Sequence, residues 1–179
     1  MGKALVLALT LSGGFGQAHA DTLPVRRSLL TQLQFALGTI GSLMATPSSV
    51  NFPATNPNLG VISASSPTSV NWIVQDVSLG QAWTLSVQAG AGAFSGCSTV
   101  PISAVRVSCA SANVSGGFGT GACRGPFTLS TTPQQVAGGS QGLGINSYSV
   151  TINYTLDESW RYIPNLSCSL SLTYTVNAP

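Results

Sequence analysis

The sequence predicts an all-β protein of two sheets packed face to face, and three observations predict it. Apolar and polar residues alternate with a period of two in several short runs. Turn residues punctuate those runs at regular intervals, and no stretch offers a convincing amphipathic helix. Trp83, Leu85 and Val87 alternate with Thr84, Ser86 and Gln88, which puts the three apolar side chains on one strand face. Tyr148, Val150, Ile152 and Tyr154 make the longest such run, and Leu170, Leu172, Tyr174 and Val176 make the last. Shorter pieces lie at Trp72-Ile73-Val74, at Val105 and Val107, and at Phe127 and Leu129. Between them, residues 53–57, 90–96, 115–121 and 138–144 read as turn and loop. Short strands at this spacing suggest an immunoglobulin-like sandwich.

The N-terminal part is open to two readings. Leu29, Leu33, Ala36, Leu37 and Ile40 fit one face of a helix, but Leu33, Phe35 and Leu37 also alternate with Gln34 and Ala36. Gly38 and Gly41 weaken a helix, so a strand is favoured, with a second short one near Leu43 to Ala45. Ahead of it, Lys3, the apolar stretch Ala4 to Leu11 and the triplet Ala18-His19-Ala20 have the layout of a secretion signal cut after Ala20. The apolar run is shorter than the roughly 20 residues a membrane span needs. The expected organisation is a signal peptide at 1–20, a leader or first strand at 21–40, and one sandwich domain at 41–179.

Removing the signal removes the only lysine and the only histidine, Lys3 and His19. What remains is Arg26, Arg27, Arg106, Arg124 and Arg161 against Asp21, Asp76, Asp157 and Glu158. Charged residues are 6% of the chain, where about a quarter is usual. Nucleophilic triads and dyads need a histidine or lysine, so none is expected. Asp157 and Glu158 are neighbours, and on a strand they point to opposite faces, so a paired-carboxylate hydrolase is not expected either. No C-x-x-C pair is present to begin a zinc site, and five scattered arginines make no nucleic-acid stripe. The expectation is a secreted, non-catalytic protein of the cell surface, with no cofactor, no metal, no nucleic-acid partner and no membrane span in the mature chain.

Cys97, Cys109, Cys123 and Cys168 are an even set in an exported chain, which points to two disulfides. Three pairings are possible. Cys109–Cys123 is favoured because it would close the base of the glycine-rich loop at 115–121, leaving Cys97–Cys168.

Two segments carry a resemblance. Gly41-Ser42-Leu43-Met44-Ala45-Thr46-Pro47 opens a stretch that leads through Trp72-Ile73-Val74-Gln75-Asp76 to Ala82-Trp83-Thr84-Leu85. An Asp-bearing strand followed by a Trp-x-Leu strand resembles the WxL-type surface domains of bacteria. The closing strand from Leu170 to Pro179 is similar to that family's last strand, with Tyr174-Thr175-Val176 where the second signature stands. The resemblance spans about 41–179. It implies non-covalent attachment to the cell wall, and no sorting signal or apolar span precedes Pro179.

The candidate binding residues are Trp83, Leu85, Asp76 and Trp160. Core packing is the plainer role for Trp83 and Leu85, and turn capping for Asp76. Trp160 lies in an expected connecting loop. Two function classes remain: a surface module that binds a cell-wall polymer or surface protein through loops at one end, or a self-associating filament subunit. In the second, a strand at Leu29 to Leu37 would complete a neighbour's sheet. If that strand pairs within its own domain the first class is favoured.

Overall fold

The computed structural model describes residues 27–37, 40–53, 60–76, 79–157 and 168–178. The expected signal peptide, the segment before Arg27, and the stretch holding Glu158, Trp160 and Arg161 lie outside the described residues. The described residues are strand and turn, with one 3-10 turn at Ile102–Ala104. Where the sequence alternates, the burial alternates with it. From Tyr148 to Leu156, β13 (Gly144–Asp157) buries every second residue, and β6 (Ala82–Ala89) buries Trp83, Leu85, Val87 and Ala89.

The first six-stranded sheet runs in the order β10 (Ala122–Cys123), β12 (Gln134–Ser140), β6, β14 (Cys168–Ala178), β1 (Arg27–Leu37) and β3 (Ser49–Phe52). The second runs β11 (Phe127–Thr128), β9 (Val105–Ser115), β13, β5 (Thr68–Asp76) and β2 (Ile40–Thr46), with β4 (Val61–Ser63) on the far end of β13. A small ribbon joins β7 (Ala93–Phe94) to β8 (Cys97–Pro101). The chain therefore crosses between sheets from β1 to β2 and back again from β2 to β3. The first strand, which the alternation favoured over a helix, runs parallel to the last through all its residues, from Arg27 beside Cys168 to Leu37 beside Ala178. Residues 27–37 of the expected leader are thus one strand of the main sheet.

One core joins the two sheets. Trp72 on β5 stacks on Tyr148 of β13 at 5.1 Å, and Trp83 of the opposite sheet meets both edge to face, at 5.4 Å each. Edge-to-face contacts of this kind add about 1 kcal/mol beyond area burial. Further along, the hydroxyls of Tyr154 and Tyr174 hydrogen-bond across the core, and Thr68 bonds to Tyr174. All three residues are buried, so the pairing satisfies groups that would otherwise be costly to desolvate.

The disulfides are Cys97–Cys168 and Cys109–Cys123, the pairing favoured from the sequence. The second ties β9 in one sheet to β10 in the other. Two loop assignments need correction: of the expected loop at 90–96, Ala93 and Phe94 form β7, and of the expected turn at 138–144, Gly138, Gly139 and Ser140 belong to β12 and pair with Thr84, Trp83 and Ala82. Glycines persist in this strand because the backbone of Thr120 lies where a side chain at Gly139 would stand. Val105 and Val107 also begin a much longer strand than two valines suggest, because β9 pairs with β13 as far as Ser115.

Burial raises the pKa of both Tyr154 and Tyr174 above the ordinary tyrosine value; the hydrogen bonds from Tyr154 and Thr68 pull Tyr174 only part of the way back. A raised phenol pKa favours the neutral form in the folded state. That contribution is fully present below the unfolded value of about 10 and is lost as pH rises above it. Denaturant titrations at stepped pH should show stability falling above about pH 10, with a shallower fall in the double variant Tyr154→Phe/Tyr174→Phe. Parallel curves for the two proteins would contradict this account.

Candidate functional site: an apolar pole

Three loops meet at one end of the sandwich. The turn between β5 and β6 contains Leu79, the loop between β9 and β10 contains Phe118, and the turn between β12 and β13 contains Leu143. Backbone hydrogen bonds hold them together: Gly80 N–H donates to the Gln141 carbonyl at 2.9 Å, and Gln141 N–H donates to the Gln81 carbonyl at 2.6 Å. Thr120 N–H donates to the Ser140 carbonyl at 3.0 Å, and the hydroxyls of the same two residues bond at 2.7 Å.

The loop carrying Phe118 is fixed from below. Trp83 Nε1 donates to the Thr120 carbonyl at 2.8 Å, so the central core tryptophan also anchors the loop. Gly117 packs against the Leu143 backbone so closely that a Cβ there would stand 2.5 Å from its carbonyl oxygen. Gly116 turns the chain with a φ of 97°, which side chains rarely tolerate. The Cys109–Cys123 disulfide closes the excursion at its base.

On this fixed platform stand four large apolar side chains in solvent: Phe118 at 89% exposure, Ile145 at 71%, and Leu79 and Leu143 at 57% each. No residue in 77–81, 116–121 or 141–145 carries a charge. Single exposed hydrophobics are ordinary, whereas a cluster on one rigid end marks an interaction surface. Holding an aromatic in place beforehand lowers the entropy cost of docking it. Among the described residues no group of three histidines, cysteines or carboxylates gathers to hold a metal.

Two of the expected binding residues lie away from this surface. Trp83 and Leu85 have 0% exposure and belong to the core. Asp76 ends β5, its backbone beside Gly144 at the base of the pole. Trp160 lies outside the described residues. The structure therefore does not bring Trp83, Leu85 and Asp76 into one exposed site. The residues it does bring together had a sequence signal. Phe118 and Leu143 are flanked by glycines, as no core strand residue would be. Ile145 is out of phase with Tyr148, Val150 and Ile152. No protein-family model and no curated protein matches the chain.

The platform depends on close backbone approach, which gives a direct check. In Gly139→Ala the new methyl would strike the Thr120 carbonyl and come within 3.0 Å of Trp83 Nε1. We expect a loss of about 2 kcal/mol or more in denaturant unfolding. Gly125→Ala, with nothing within 4 Å of the added atom, should stay within about 0.5 kcal/mol of the parent. Equal effects at the two positions would sink the clamp as described.

Proposed function

We propose that this protein is a secreted, non-catalytic component of the cell surface that attaches non-covalently to other surface proteins through the apolar pole. The observation that carries the reading is Phe118, almost fully exposed on a loop that Trp83 of the core anchors at Thr120. Four aliphatic and aromatic side chains without a charge suit the apolar centre of a protein interface. The two disulfides suit an oxidising exterior. Pairing of β1 within its own sheet supports a self-contained module over a subunit with a free arm.

We read the sandwich as immunoglobulin-like, because its first strand lies parallel beside its last and the chain crosses to the other sheet directly afterwards, between β1 and β2. The likeness to WxL domains supports the same surface role. With Trp83 and Leu85 buried, however, the Trp-x-Leu strand contributes core packing here, and attachment falls to the loops.

Co-sedimentation with purified cell envelopes tests the proposal. The parent protein should pellet with envelopes, and pelleting should weaken roughly tenfold or more in Phe118→Ser, since burying one large apolar side chain is worth about 1.5–3 kcal/mol. The melting temperature should not change, because that side chain packs on nothing in the fold. Equal pelleting of parent and variant, or none by the parent, would overturn the assignment.

A further inference from the structure

We propose that Cys123 is an exchange site for small thiols. An attacking thiolate opens Cys109–Cys123 on the folded protein and leaves Cys97–Cys168 closed. The chemistry needs no contact at the apolar pole and stands apart from the reading of that surface.

The two disulfides sit in unlike surroundings. Cys97 and Cys168 belong to the core, at 5% and 2% exposure. Cys109 is half-buried against the same core, whereas Cys123 is exposed. Thiol–disulfide exchange requires the incoming sulfur to reach one sulfur of the bond, so access decides which one is struck. Of the four cysteines, Cys123 is the exposed one.

The segment around Cys123 is laid on the sandwich rather than packed into it. β10 is two residues long at the edge of its sheet, and Ala122 through Pro126 are all exposed. Besides the disulfide, its ties are the pairing of Ala122 with Gly138 and of Cys123 with Ala137, and the bond from Arg124 N–H to the Val136 carbonyl at 2.8 Å. Opening the disulfide therefore pulls no side chain of 122–126 out of the core. Thr120 stays bound to Trp83 and Ser140, so the loop above keeps its seat. A local opening of this kind is among the least costly in a folded protein.

A cation stands next to the struck sulfur. Arg124 follows Cys123 directly and is the only charged residue in 107–156. Neighbouring Cα atoms are about 3.8 Å apart, which keeps the guanidinium within roughly a Debye length of the sulfur. Exchange brings one thiolate in and sends another out, and a nearby cation favours both. The incoming thiolate bonds to Cys123 Sγ as the bond between Cys123 and Cys109 breaks. Its electron pair leaves on Cys109 Sγ, which takes a proton from water. One disulfide replaces another: the products are a mixed disulfide at Cys123 and a thiol at Cys109.

The test uses the full chain with its cysteines paired. It is incubated with reduced glutathione without denaturant, quenched with N-ethylmaleimide, digested and mapped by mass spectrometry. Glutathione should be found on Cys123 and maleimide on Cys109, about tenfold or more faster than any label on Cys97 or Cys168. Labelling of all four at one rate, or of none until denaturant is added, overturns the site. Glutathione on Cys109 overturns the choice of sulfur. Arg124→Gln should slow the exchange about two- to threefold at low salt and less at high salt; a rate indifferent to both overturns the role of the charge. Phe118→Ser should exchange at the parent rate, so failure of the thiol site and failure of the docking surface are read separately.

Discussion

Trp83 is shared between the core and the loop that carries the exposed cluster, and the rest of the structure is arranged around that sharing. Its ring meets Trp72 and Tyr148 of the opposite sheet edge to face, while its N–H reaches the Thr120 carbonyl. A tryptophan has a large apolar body and a single donor, and burial is costly unless the donor finds a partner. Here the partner is the loop backbone. The loop must come down to the tryptophan, and the positions over which it passes must be small. That is why Gly139 stands directly opposite Trp83 in the sheet, and why glycines recur from 116 to 121. Rigid presentation of Phe118 follows from satisfying a core hydrogen bond.

With the core so apolar and charge so scarce, the outward faces of both sheets are solvated by small neutral groups. On β13 the outward positions include Ser147, Ser149, Thr151, Asn153 and Thr155, and on β14 they include Ser169, Ser171, Thr175 and Asn177. Hydroxyl-bearing and amide-bearing residues keep a pleated face wet without long charged chains, and Thr also suits the extended backbone. The ion pair Arg106–Asp157, at 3.6 Å and largely exposed, adds little to stability. Stability falls instead to the aromatic contacts, the tyrosine pair and the disulfides. Against this neutral background the apolar pole gathers four of the large hydrophobics exposed among the described residues, the others being Met44, Val61 and Ile73.

Much of this was legible in the sequence because burial in a sheet repeats every two residues. Trp83, Leu85, Tyr148, Tyr154 and Tyr174 all face inward as their alternation predicts. The same rule identifies part of the pole in retrospect, since Ile145 violates it and is exposed. What alternation cannot report is a strand whose face is backbone. β12 carries Gly138 and Gly139, so its pattern looks like a turn, although it pairs with β6 in register. Nor does local pattern report that the ends of the chain meet in parallel, because that depends on a neighbour about 140 residues away. The cysteines fared better: a loop visible from its glycines favoured one closure, and the second pair followed.

The parallel meeting of the chain ends limits what kinds of assembly the fold can support. An open filament needs a donor strand that leaves one end of a subunit and enters the opposite end of the next. In this sandwich the link to β1 leaves at the same end as the one where Leu37 must be received, because β1 and β14 run in one direction. Exchange in native register is therefore self-limiting. Only an antiparallel entry beside β14 would avoid this, and that would abandon the register of all eleven rungs as well as the pairing with β3. Strand direction thus separates a closed pair from a polymer.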